Sequence, residues 1–139
     1  MDTRVRHTFH KSERLCSKKL IDEVFERGNA FHTGMFRIVW LPAHANIPSP
    51  AQVVLVVPKK NIRSAIRRNL IRRRIREAYR KNKQMLYDLL KGTGMRLAFA
   101  IIYSNQEPAD YWKTEESVIE ALRSLMRQIK QKNPNLVKE

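Results

Sequence analysis

The chain is poor in acids, and that scarcity narrows what it does. Its 139 residues include 13 Asp and Glu against 28 Lys and Arg, a formal net charge of +15. Two-metal hydrolysis of a phosphodiester needs convergent carboxylates, and a metal-free route needs a paired histidine acid and base. Here the acids are scattered. Asp22 and Glu26 share a helical face, but beside Lys18 and Lys19 they read as solvated surface. His7 and His10 lack partner cysteines for a metal site, while His32 and His44 fall in expected loops. The single cysteine, Cys16, has no partner for an internal disulfide and no evident activating neighbour. Four scattered glycines build no phosphate-cradling loop. No apolar run approaches the roughly 20 residues that span a bilayer, and MDTRVRHTFHKSERL has no apolar core of the signal-peptide kind. The expectation is a cytoplasmic protein with no membrane partner, no protein-held metal and no catalytic residue of its own.

What the chain does have is positive charge in one place. Twelve basic residues lie between Lys59 and Lys83, with Glu77 the only acid among them, so this stretch carries +11 of the +15. Like charges so dense repel one another, and a folded domain keeps them when a polyanion lies against them. Hydrophobic residues make up 42% of the chain, enough for one core. The expectation is a single RNA-binding domain over 1–139, with an ordered core of about 7–130 and loose tails.

Local patterns order the chain as helix, strands, helix, strand, helix. Ser17 can cap a helix carrying Leu20, Ile21, Val24 and Phe25, with Gly28 as a left-handed stop. Residues 35–41 alternate as a half-buried strand with Phe36, Ile38 and Trp40 on one side. AHANIPSP is a loop, and AQVVLVV a second strand ending at Pro58. Residues 62–90 form one long helix broken by Gly92 and Gly94. RLAFAIIY (96–103) is a buried strand, 107–111 a loop, and Thr114 caps a last helix with a stripe of Ile119, Leu122, Met126 and Ile129. Strands on both sides of a helix imply a crossover packed on a sheet.

Projected at about 100° per residue, the long helix places Ile71, Ile75, Ala78, Tyr79, Leu86 and Leu89 on one side. One flank holds Arg72, Asn69, Arg76, Arg80 and Arg73, with Arg68 at its edge, and the other Arg63, Arg67, Arg74 and Lys81. An idle solvated face normally mixes charges; this one does not. Guanidinium groups pair bidentately with phosphate and stack on bases, which favours RNA. A ribosomal or ribosome-assembly protein would show the same charge and size. A DNA-binding regulator would more often set such a helix after a second short helix across a tight turn, whereas here it follows a strand.

The segment VVPKKNIRSAIRRNLIRRRIREAYR resembles the signature of the bacterial ribonuclease P protein component, in which a strand ending in two lysines leads into a helix with an Arg-Asn-Arg-type motif. Lys59, Lys60, Ala65, Arg68, Asn69, Arg72, Arg73, Ile75, Arg76, Glu77 and Tyr79 match it. HKSERLCSKKLIDEVFERGNAFHTGMFRIVWL resembles the family's first helix and strand, and the likeness extends over about 7–130. Leu70 departs from the motif's second arginine, Pro58 from a small residue before the lysines, and Ile21 from a second aromatic of the first helix.

The resemblance implies an α+β, single-domain α/β sandwich. In it a mixed sheet is packed with helices, in the order αββ(β)αβα, with a left-handed crossover as in the ribosomal protein S5 domain 2-like fold. It implies a ribonuclease P subunit that binds a catalytic RNA, one to one, and promotes removal of the 5′ leader from precursor transfer RNA. Mg2+ is held mainly by RNA and substrate, the RNA carries the chemistry, and DNA is no partner. Lys59, Lys60, Arg68, Asn69, Arg72, Arg73 and Arg76 would face the catalytic RNA, joined from their stripes by Arg63, Arg67 and Arg80. Phe25 would lie in a leader cleft between sheet and first helix, with Arg37 or Val39, opposite Phe36 and Trp40 on their strand, lining it. Core packing is the competing reading of Phe25.

Overall fold

Alternation in FRIVWLPA builds the centre of the sheet. The computed structural model describes residues 8–44 and 46–132, leaving His7 outside. The elements are α1 (Lys18–Arg27), β1 (Asn29–Thr33), β2 (Phe36–Ala43), β3 (Ala51–Val56), α2 (Ala65–Asn82), α3 (Gln84–Thr93), β4 (Arg96–Tyr103) and α4 (Tyr111–Lys132). The sheet order is β1-β2-β4-β3, with β3 parallel to β4 and the other pairs antiparallel. A parallel neighbour cannot be reached by a hairpin, so α2 and α3 form the crossover from β3 to β4.

The two faces of the sheet carry different loads. Phe36, Ile38 and Trp40 from β2 and Leu97, Phe99, Ile101 and Tyr103 from β4 form one large core with Ile71, Ile75, Tyr79, Leu86, Leu122 and Leu125 of the helices. Burying each large side chain contributes about 1.5–3 kcal/mol relative to exposure, so this side dominates stability. Trp40 Nε1 donates to Gln128 Oε1 at 2.9 Å, satisfying its one polar atom against α4. The opposite face holds a smaller core of Leu15, Val24, Val39 and Ala98, flanked by Leu20, Ile21, Val54 and Ile102. Helix α1 sits on it, capped by Ser17, whose Oγ accepts from the Leu20 N–H at 3.2 Å.

The expected single helix over 62–90 is instead a turn followed by two helices, α2 and α3, which meet at Lys83, whose side chain is buried rather than out in solvent. Its ammonium donates to Glu13 Oε1 and to the Thr8 carbonyl, while Tyr87 Oη donates to Glu13 Oε1 at 2.6 Å. This buried clasp ties the segment before α1 to the α2–α3 junction. Gly94, at φ +73°, ends α3, whereas Gly92 lies within its last turn. Gly28 is extended rather than left-handed, at φ −74°. It is small because a Cβ there would lie 2.3 Å from the Val24 carbonyl oxygen and 2.8 Å from Val39 Cγ1. Strand β1 has no apolar alternation to betray it; it forms because Gly34, at φ +55°, turns the chain back so that Thr33 pairs with Phe36. Helix α4 starts earlier than Thr114 suggested. Asp110 Oδ1 accepts from the Lys113 N–H at 2.9 Å and is its cap, with Thr114 buried in the first turn.

Candidate nucleic-acid interface

The basic surface begins where β3 ends. Pro58 opens a tight turn, its carbonyl accepting from the Asn61 and Ile62 N–H groups at 3.0 and 3.1 Å, which leaves Lys59 and Lys60 exposed at the tip. Asn61 Nδ2 pins the turn to the Tyr103 carbonyl at 3.2 Å. Ser64 then caps α2 by accepting from the Arg67 N–H at 3.2 Å. With Ile71, Ile75, Ala78 and Tyr79 buried, α2 cannot roll, and its arginines are held on the outer flanks.

The arginines are not equivalent. Arg63, Arg67, Arg73 and Arg76 are exposed. Arg68 folds back, donating to the Ile62 and Arg63 carbonyls at 2.9 and 2.8 Å, and so braces the turn that carries the lysines. Arg72 donates to Asn69 Oδ1 at 2.8 Å, aligning an amide and a guanidinium side by side. Arg74 reaches the Ala109 carbonyl at 2.5 Å, and Arg80 forms a two-pronged contact with Glu77 at 2.9 and 2.6 Å. Partial burial and then the charges of Arg14, Arg72 and Arg73 push the Arg76 guanidinium below its ordinary pKa.

Arg14 is the contributor that sequence reasoning missed. It sits outside the basic run, but Arg14 bridges to Val53 beside β3, and the Leu15 N–H donates to the Val53 carbonyl at 2.9 Å. That extension of the sheet edge carries its guanidinium to Arg76 and over the Phe9 ring, 5.4 Å from the centroid. No local periodicity marks it, since the contact spans 62 positions of chain.

On the opposite sheet face, Phe25 projects from α1 with 43% of its surface exposed, although its neighbour Val24 is fully buried. Core packing therefore does not account for Phe25. Arg37 is exposed on the same sheet face as Val39, but Val39 is only 2% exposed and lies in the small core with Val24. Of the cleft residues named from the sequence, Phe25 and Arg37 offer surface; Val39 supports α1 from beneath. Among the described residues, no three His, Cys, Asp or Glu side chains gather where a metal ion could be held, and no helix is long and apolar enough to cross a membrane.

A mixed four-stranded sheet backed by helices, with an arginine-rich helix in its crossover, defines a class: a small α+β domain with a strongly basic outer helix face. The profile of the family described as Ribonuclease P matches residues 9–130, so the chain belongs to the ribonuclease P protein family. It is 32% identical over 112 residues to the ribonuclease P protein component of Porphyromonas gingivalis, covering 81% of this chain and 82% of that one. The component of Petrotoga mobilis is 31% identical over 121 residues, covering 85% and 95%. Among solved structures, the Staphylococcus aureus RNase P protein superimposes with TM-score 0.65 at 16% identity, covering 84% of this chain and 97% of that one. The Thermotoga maritima protein gives 0.61 at 22%, covering 81% and 96%. At such identities these structures speak for the fold. Family membership implies a role in 5′ processing of transfer RNA.

Proposed function

We propose that this chain is the protein subunit of a cytoplasmic ribonuclease P, bound one to one with a catalytic RNA along the outer flanks of α2. Lys59, Lys60, Arg63, Arg67, Arg73 and Arg76 contact phosphates directly. Asn69 and Arg72 act as a pair, Arg68 positions the lysine turn, and Arg80 works from its bond to Glu77. The 5′ leader of precursor transfer RNA runs over the face of α1 and β2 that carries Phe25 and Arg37. The RNA performs the cleavage, with Mg2+ held by RNA and substrate. What carries this reading is the one-sided helix: four buried residues lock it to the sheet while its arginines crowd outward with a single acid for company.

Cleavage of a 5′-extended precursor transfer RNA by a bacterial ribonuclease P RNA at low magnesium, with and without the protein, tests it. Accurate cleavage by the mixture and none by protein alone is the expected result. Tight, salt-sensitive RNA binding with no rescue by any bacterial ribonuclease P RNA tried would move the reading to a ribosome-associated protein.

A further inference from the structure

Between the flank of α2 and the start of α4 lies a cavity of about 440 Å3, within the range of about 300–1,000 Å3 that holds small ligands. Its walls are Phe9, Tyr111, Arg73, Arg74, Arg76 and the Glu77–Arg80 pair. Three distant parts of the chain meet here: the segment before α1, the middle of α2 and the first residue of α4. Glu77, the only acid in the lining, is committed to Arg80. Arg74 is turned to the Ala109 carbonyl and fixes the loop leading to Tyr111. Neither the Arg73 nor the Arg76 guanidinium forms a hydrogen bond or ion pair with the described residues. The cavity thus joins aromatic walls to two uncommitted guanidinium groups.

We propose that this cavity receives one unpaired nucleotide of the bound RNA, its base against the Tyr111 and Phe9 walls and its flanking phosphates on Arg73 and Arg76. The inference rests on the ribonuclease P reading and adds to it a feature that the RNA must present. A phosphate alone would need no aromatic wall, and a base within a duplex hides both its faces in the stack. An unpaired nucleotide, bulged, looped or in a single strand, offers a flat apolar face and a charged backbone together. Arg14 and Lys83 lie over the Phe9 ring at 5.4 and 5.8 Å, so Phe9 serves as a wall held in place by cations. Tyr111, half-buried and edge-on to Trp112 with ring centroids 5.3 Å apart, carries the base.

Binding of three RNA hairpins to the full chain tests this: one with a single bulged adenosine, one with an abasic site at the bulge, and one fully paired. The bulged adenosine should bind about tenfold more tightly than either control, a ratio within what one stacked base supplies, and should perturb the emission of the exposed Trp112 most. Tyr111→Leu keeps apolar volume but removes the flat ring, and should bring the adenosine and abasic bulges within about twofold of each other. Arg73→Gln, at an exposed position that cannot unfold the protein, should weaken both bulged hairpins together. Equal binding of all three hairpins by the wild-type chain would overturn the proposal, as would a full adenosine preference in Tyr111→Leu. If low-magnesium cleavage with the catalytic RNA still succeeds, only the nucleotide cavity falls; if cleavage also fails, the ribonuclease P reading falls with it.

Discussion

Val24 and Phe25 are adjacent, both apolar and both on α1, yet one is sealed against the sheet and the other stands out in solvent. The exposed ring of Phe25 is the surface that the proposed leader path uses. Phe25→Ala should weaken leader-bearing precursor while leaving mature transfer RNA nearly unchanged, at a cost of about 1–3 kcal/mol if one base stacks there; equal loss for both substrates, in a variant folded by circular dichroism, would take the leader off Phe25. Gly28 shows the opposite constraint. Gly28→Ala drives a Cβ into the Val24 carbonyl and Val39, backbone on one side and core on the other. The expected loss is about 1–3 kcal/mol in urea unfolding, with α1 shifted off the sheet.

Glu13 illustrates how a residue far from the basic run holds it in place. Burial raises its pKa, but bonds from the Lys83 ammonium, the Tyr87 hydroxyl and the His10 N–H outweigh that and hold it below the usual value of 4.5. A lowered folded pKa contributes stability that is present above the unfolded pKa and is lost as pH falls through the folded one. Unfolding free energy should thus decline in acid below about pH 4.5, and Glu13→Gln should flatten that part of the decline. Above that window, Glu13→Gln strands a buried ammonium and should cost about 3–5 kcal/mol in urea titration.

At the scale of elements, α2 does two jobs with one sequence. Its inward residues close the core and its outward ones hold charge, so substitutions on the two sides should separate cleanly. Arg76→Ala or Arg72→Ala should weaken assembly with the catalytic RNA and reduce the salt slope by about one, with unfolding midpoints unchanged; unaltered assembly in both would remove α2 from the interface. Helix α2 was legible because its period is local, with Ile71, Ile75, Ala78 and Tyr79 recurring as a helix requires. Its end at Lys83 was not. Lys83 reads as one more surface cation in the run, and only Glu13, 70 positions away, makes it a buried one. Strand β1 was hidden for the same reason: NAFHT pairs because β2 lies beside it.

For the whole molecule, charge sets the expectation. If six to ten phosphates are contacted, affinity for RNA should fall by about 10³ to 10⁵ between 50 and 200 mM monovalent salt. A filter-binding or calorimetric series measures that slope, and a flat response would contradict an α2-centred interface. By itself the amino-acid sequence determined the alternation of strands and helices, the buried face of α2, and a +11 stretch that calls for a polyanion, since all of these are written in residues near one another. Tertiary structure alone decided which cations are committed and which are left over. It brought Arg14 to Arg76, buried Lys83 on Glu13, closed Val39 under α1 and assembled Phe9, Arg73 and Tyr111 around one cavity. Those pairings depend on the parallel joining of β3 to β4 and the docking of α4 along α2, where residues far apart in the chain become neighbours through packing.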